Sequence, residues 1–268
     1  MVVAAIGAWF SDTIKRMTQD LFRQDAYLRE CSAQITAVTA DGAIVLDRTV
    51  FYPQGGGQAG DSGLLLRADG SSITIADTRK GKDAQGHATA DIVHIPAPGQ
   101  QDRMAQWTPG TAVTARIAWE RRHRMMRLHT TTHLLCHLVP HLVNGCSITP
   151  DYARLDFAIT DPLDKQALNT GIAALVAAAH PLTVASISDA ELDANPALVK
   201  SMSVQPPRGT GRIRTIRIGG QSAAAVLIDL QPCGGTHVAN TAEIGAIVVT
   251  KIEKKSATTR RVVLGFAQ

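Results

Sequence analysis

Aromatic residues are scarce in this 268-residue chain: three Trp, three Tyr and five Phe amount to 4% of it. So few rings argue against a protein that holds nucleic acid mainly by stacking bases. Cysteine is scarce too, with four residues at 31, 136, 146 and 233 and no C-x-x-C spacing among them. A dense disulfide framework is therefore excluded, and a reducing, cytoplasmic setting is expected. No uninterrupted apolar run approaches the roughly 20 residues that cross a bilayer, so no membrane is expected as a partner. The opening MVVAAIGAWFSDTIKR holds an apolar stretch but no leading basic region, and Asp12, Lys15 and Arg16 follow it. Residues 1–16 read as an N-terminal extension, not an export signal. Charge of one sign is also nearly absent: 27 Lys and Arg against 23 Asp and Glu leave a net +4, which permits a nucleic-acid partner without requiring one.

What is present is a 45% hydrophobic composition, enough for a sizeable core, at a length that suits two ordinary domains. QITAVTADGAIVLDRTV alternates apolar and polar residues around Asp41-Gly42, and GLLLRADGSSITIADTR does so around Asp69-Gly70; both are hairpin signals. VHIPAPGQ and WTPGTAVTARIAW continue the rhythm, so residues 17–118 read as a small all-β unit, a barrel or compact sandwich. The pattern changes at Trp119, where ERRHRMMRLHTTTHLLCHLV predicts a helix ended by Pro140. DKQALNTGIAALVAAAH predicts a second, started at Asp161-Pro162 and stopped at His180-Pro181. Strands return in LTVASIS, GRIRTIRIGG, SAAAVLIDL, AIVVTKIEKK and RRVVLGFA, which makes the second half α+β.

Two short stretches carry metal-binding chemistry. On a helix, residues four apart lie one turn apart on one face, so His129 and His133 can aim two imidazoles at one ion. In DLQPCGGTHV, Cys233 and His237 flank a Gly-Gly turn sharp enough to bring a thiolate and an imidazole together. Either pair alone is weak; together they supply a plausible tetrahedral zinc set. His141 lies about 120° around the helix from His129 and is the poorest candidate for a further ligand. His137 and Cys136 are nearer, and both read more readily as ordinary helix residues. Cys146, in GCSITPDYARLDF, is expected in a structural loop.

HTTTH followed by CGGTH resembles the H-x-x-x-H and C-x-x-x-H pair of the alanyl-tRNA editing domain, found inside alanyl-tRNA synthetases and in freestanding AlaX proteins. FYPQGGGQAGDSG at 51–63 is similar to the glycine-rich motif of that family's N-terminal barrel, and RLDF and RRVVLGF follow in the expected order. The resemblance covers roughly residues 17–268 and implies a fold: an N-terminal small β-barrel domain, 17–118, and then an α+β zinc-containing editing domain, 119–268. It also implies an activity, hydrolysis of the ester in alanine tRNA mischarged with serine, and with glycine as a second substrate. Water is the nucleophile and Zn2+ the cofactor, held by His129, His133, Cys233 and His237. Family members tend to begin near Met17, so residues 1–16 are expected to be dispensable.

The resemblance places a hydroxyl or amide contact for serine in GCSITPDYARLDF, giving Thr149 first and Ser147 second, against the plainer reading that they cap a turn. It places Gly55, Gly56 and Gly57 near the tRNA end with Gln58 as a contact, although such glycines also serve tight barrel turns. Basic residues cluster at Arg116, Arg121, Arg122, Arg124 and Arg127, at Arg208, Arg212, Arg214 and Arg217, and at Lys251, Lys254, Lys255, Arg260 and Arg261. Of these, Arg121, Arg122, Arg124, Lys254, Lys255 and Arg260 are expected to contact tRNA phosphates. The readings to be separated are an editing hydrolase and a non-catalytic RNA-binding module with structural zinc. A metallopeptidase is disfavoured, because HTTTH lacks the glutamate of H-E-x-x-H. The oligomeric state is not legible.

Overall fold

The computed structural model describes residues 17–83, 85–206, 208, 209, 211–220 and 226–267. The expectations for residues 1–16 lie outside the described residues. Strands β1 (Gln19–Asp20), β2 (Glu30–Val38), β3 (Ile44–Leu46), β4 (Arg48–Thr49), β5 (Gly63–Leu66), β6 (Ser72–Lys82), β7 (Ala88–Pro96) and β8 (Ala112–Ile117) make up the first part. Six of them close an antiparallel barrel in the order β2-β3-β7-β6-β5-β8, and β1 pairs with β4 beside it. The hairpins expected at Asp41-Gly42 and Asp69-Gly70 join β2 to β3 and β5 to β6. Gly42 and Gly70 both sit at φ +84°, a conformation open chiefly to glycine. Period-two burial puts Ile35, Leu65, Ile73, Ile75 and Ala115 inside the barrel.

The second part runs α1 (Trp119–Leu138), β9 (Val143–Ile148), β10 (Tyr152–Ala158), α2 (Lys165–Ala177), β11 (Leu182–Ile187), α3 (Asp189–Ala194), β12 (Ile213–Gly219), β13 (Leu227–Pro232), β14 (Ile247–Ser256) and β15 (Thr259–Phe266). Its strands form two antiparallel sheets, β14-β15-β10-β9 and β11-β12-β13. Helix α1 packs against β10, β13 and α2 over a core containing Met126, Leu134, Phe157, Ile218 and Leu264. The whole is sheet-dominated, with a closed barrel and few helices. None of the described helices is long and apolar enough to cross a membrane.

Three local expectations need correction. The stretch expected as a loop, GCSITPDYARLDF, is the hairpin of β9 and β10; burial alternates along YARLDFA, with Ala153, Leu155 and Phe157 inside. Cys146 is accordingly on a strand. Helix α2 starts four residues after Asp161, because the Asp164 carboxylate caps it by accepting from Gln166 and Ala167 N–H. Helix α3 was not expected at all, although Ser188 and Glu191 form a complete capping box that S-x-x-E announces.

One buried titratable group in the barrel sets a pH dependence. His94 is fully buried, with Nδ1–H donating to the Ile44 carbonyl at 3.0 Å and Nε2 accepting from Thr49 Oγ1 at 2.8 Å. The Thr49 oxygen already accepts from Phe51 N–H, so this network suits the neutral ring. Burial pushes the His94 pKa down to about 4 from an ordinary 6.5. Between those values the unfolded chain takes up a proton that the folded chain refuses. The resulting stability is fully present above pH about 6.5 and is lost as pH falls through about 4; in all it is worth about 3 kcal/mol. Urea unfolding from pH 7 to 4.5 is expected to show a slope that flattens by about this amount in His94→Gln.

Candidate metal centre

Helix α1 brings His129 and His133 one turn apart, and the chain leaving β13 folds Cys233 and His237 back onto them. One donor atom from each of the four lies within 4.8 Å of the others. Cys233 Sγ is 3.2 Å from His237 Nε2 and 3.5 Å from His129 Nε2. The spacing argument therefore assembles one cluster from two separate stretches, and a His/Cys donor set of this size can hold a metal ion.

Each histidine has its other ring nitrogen occupied by a different partner. His129 Nδ1–H donates to Gln58 Oε1 at 2.8 Å, and His133 Nδ1–H to Asp229 Oδ2 at 2.8 Å. His237 Nδ1–H faces Thr130 Oγ1 at 3.2 Å, which also accepts from Val238 N–H. All three tautomers leave Nε2 for an ion, the arrangement that orients metal-bound imidazoles. Gln231 Nε2 donates to the same Asp229 oxygen at 2.8 Å, so the buried carboxylate is itself held. Burial opposes a thiolate at Cys233, but the imidazoles of His129 and His237 hold its thiol well below the ordinary value. Burial first, and the charge of His129 next, hold His237 well below an ordinary imidazole pKa and keep it neutral. Burial works the same way on His133, but the Asp229 hydrogen bond overrides it and raises that ring to about 10, so an ion binding at its Nε2 would displace a proton from there. Asp229→Asn is expected to weaken metal affinity about 10- to 100-fold with the fold intact, as read by chelator competition.

One glycine of each motif is required by close approach. A Cβ on Gly235 would lie 2.2 Å from His129 Cε1 and 2.8 Å from Gln58 Oε1. Gly57, at φ +85°, would place its Cβ 2.9 Å from Cys146 Sγ. Gly55 and Gln58 exchange backbone hydrogen bonds at 3.0 and 3.1 Å, and β9 clamps the loop through Ile148 N–H to Gly57 O. The glycine-rich stretch is thus a connector from the barrel that drives Gln58 into the centre.

A cavity of about 400 Å³ opens beside the cluster. His129, Thr132, His133, Cys233 and Gly235 form part of its wall, with Gly55, Gly56 and Cys146. Gln58 is completely buried and bonded to His129 and Thr236, which corrects its expected role from substrate contact to orienting group. Thr149 and Ser147 do not line the cavity. Thr149 caps the β9–β10 turn, its Oγ1 accepting from Tyr152 N–H at 3.1 Å. Among the described residues, Tyr52, Thr132 and Ser201 are the hydroxyl residues that do line the cavity, and of these Thr132 sits on α1 between the two histidines, its Oγ1 donating to the His129 carbonyl at 2.7 Å. Cys136 also lines the cavity, its thiol pushed up to about 12, first by burial. His137 and His141 are exposed and outside the cluster.

The basic residues divide sharply. Arg122 is fully buried, its guanidinium paired with Asp61 and bonded to the carbonyls of Val50 and Ala26, so it has no surface to offer a phosphate. Arg260 is almost as buried and donates to backbone carbonyls of Ser256 and Thr160. Both expected phosphate contacts are corrected on this ground. Arg121 is half-buried on the Gly60 carbonyl; Arg124 bonds the Pro150 carbonyl and lies 4.0 Å over the Phe266 ring. Lys254 and Lys255 are exposed on β14. None of these six lines the cavity, whereas Arg23, Lys80, Lys200 and Arg214 do. Only Arg214 belonged to a basic cluster in the sequence; the other three are scattered along the chain and come together by folding.

Two family models match the chain: "tRNA synthetases class II (A)" over residues 17–117, and "Threonyl and Alanyl tRNA synthetase second additional domain" over residues 213–263. The alanyl-tRNA editing protein AlaX-M of Methanosarcina acetivorans is 31% identical over 252 residues, covering 91% of this chain and 97% of that protein. The AlaX-M of Saccharolobus solfataricus is 30% identical, covering 92% and 98%. The alanine–tRNA ligase of Metallosphaera sedula is 33% identical over 246 residues, which are 88% of this chain and 25% of the ligase.

Proposed function

The chain belongs to the AlaX-M family of alanyl-tRNA editing proteins, and we propose that it removes serine, and with it glycine, from mischarged alanine tRNA by zinc-dependent ester hydrolysis. The observation that carries this reading is the four-donor cluster at the wall of a cavity. A purely structural ion has no need of that opening.

His129, His133, Cys233 and His237 would hold the zinc, and Gln58, Asp229 and Thr130 fix the three rings toward it. When bound, the ion supplies Lewis acidity next to the scissile ester. Water is the nucleophile: it adds its oxygen to the acyl carbon, the bond to the ribose oxygen breaks, and free amino acid and tRNA leave. Thr132 is the residue we assign to the substrate's serine hydroxyl. Its proton is committed to the His129 carbonyl, which leaves Oγ1 free to accept. Such a contact explains why an editor is selective where a synthetase is not. A pocket shaped for alanine rejects an added hydroxyl by only about a hundredfold, whereas a site that bonds the hydroxyl can reject its absence by about 10⁴-fold. The division of labour we assign is a barrel of 17–118 that delivers Gln58 and an α+β unit of 119–268 that carries the cluster.

Deacylation of seryl-tRNA(Ala) by chelated and zinc-reloaded protein tests this reading. Activity lost with the metal and restored by it supports it; a folded, reloaded protein without activity would favour the RNA-binding module with structural zinc.

A further inference from the structure

The cavity beside the cluster has a one-sided charge. Among the described residues four Arg and Lys side chains line it, Arg23, Lys80, Lys200 and Arg214, and no Asp or Glu does. Of these four, Arg23 is the one with an ion pair among the described residues, to Asp20. Lys80 is exposed and Lys200 half-exposed, and neither is paired with a carboxylate among the described residues. Arg214 is fixed differently. Its Nη1 donates to the carbonyls of Cys233 at 2.6 Å and Gly235 at 3.1 Å, which ties the guanidinium to the turn that carries the cluster. Its Nε is buried without a protein partner. A guanidinium held in place, with two lysines that have no carboxylate partner lining the same cavity, is a setting for a bound anion.

A carboxylate is a poor candidate for that anion, because the ester hydrolysed here has none. Its nearest negative charge is the phosphate on the ribose that carries the amino acid. We propose that Arg214, Lys80 and Lys200 form a binding site for the 5′-phosphate of the terminal nucleotide, which holds the ester against the cluster. The proposal rests on the hydrolase reading above and goes beyond it by naming the group recognised. Arg214 gives the site its fixed point, since the same side chain shapes the Cys233–Gly235 turn. Lys80 reaches it from the barrel strand β6 and Lys200 from the segment before β12, so both parts of the fold contribute.

The test compares two small esters, 3′-O-seryl-adenosine and the same compound bearing a 5′-phosphate. The zinc-loaded protein is expected to hydrolyse the phosphorylated ester with kcat/KM at least about tenfold higher, the value of one charge-assisted contact. The preference should shrink with added salt. In Lys80→Ala/Lys200→Ala the two esters should converge to within about threefold, with the rate on the unphosphorylated ester and the bound zinc unchanged. Arg214→Lys keeps the charge but loses the fork, and is expected to reduce the preference as well. Because Arg214 also supports the turn, the lysine double variant is the decisive one. Equal rates on both esters in the unaltered protein, or a preference that survives the double variant, overturn the phosphate site and leave the hydrolase reading standing. No cleavage of either ester overturns both.

Discussion

Gly235→Ala is expected to abolish metal binding and to lower deacylation at least about a hundredfold, while Gly234→Ala leaves both nearly unchanged. The two glycines are neighbours in one turn, and neither has a positive φ, so intrinsic backbone freedom does not separate them. Space does. A methyl at 235 meets His129 Cε1 at 2.2 Å and Nδ1 at 2.6 Å, and it also meets at 2.8 Å the Gln58 Oε1 to which that Nδ1 is bonded. His129 cannot yield without leaving both the cluster and its orienting amide. Displacing a reacting group by even 1 Å is enough to cost about 10² in rate. A methyl at 234 meets only Arg23 Nη1 at 3.4 Å, the far end of a flexible side chain. Zinc content and single-turnover deacylation of the two variants, with circular dichroism to show that each is folded, check the contrast. Full zinc occupancy in Gly235→Ala would show that the turn is less constrained than its geometry states.

Arg122→Met is expected to destabilise the protein by about 3–5 kcal/mol, a large share of a typical folding free energy. The guanidinium is completely buried where α1 leaves the barrel, and it bonds Asp61, Val50 O and Ala26 O at once. Asp61 also accepts from Tyr52 N–H at 2.7 Å, so the pair organises the chain on both sides of the glycine-rich loop. Removing the arginine leaves a carboxylate buried without a counter-charge. Adding Asp61→Asn removes that charge but keeps an acceptor for Tyr52, so the double variant should recover part of the loss. Urea unfolding of the single and double variants measures both effects. A single-variant loss below about 1 kcal/mol would contradict the account of this pair.

Most of the fold was legible where a strong local signal met no competitor. Asp-Gly turns between alternating strands gave two of the barrel hairpins, β2–β3 and β5–β6, and Pro140 ended α1. The β9–β10 hairpin was missed because Gly, Ser, Thr, Pro and Asp at 145–151 outweighed the period-two pattern in YARLDFA that follows. The four-donor cluster was legible for a different reason: its residues come in two short-range pairs, each with its own spacing logic. Gln58, Asp229 and Thr130 have no such pairing. Their roles depend on which loop packs behind which ring, and that is set by tertiary contacts. The same limit explains the errors over basic residues. A run such as ERRHRMMR shows charge but not facing, and Arg122 points into the core while Arg23, Lys80 and Lys200 converge from distant segments.

The central claim, that the cluster and cavity hydrolyse a wrong amino acid from alanine tRNA, is tested most directly by one side-by-side measurement. Alanine tRNA charged separately with serine, glycine and alanine would be incubated with the zinc-loaded protein, with and without a chelator. The account predicts rapid, chelator-sensitive loss of serine, slower loss of glycine and near-complete sparing of alanine. Equal release of all three, or release of none by folded, zinc-loaded protein, would contradict it.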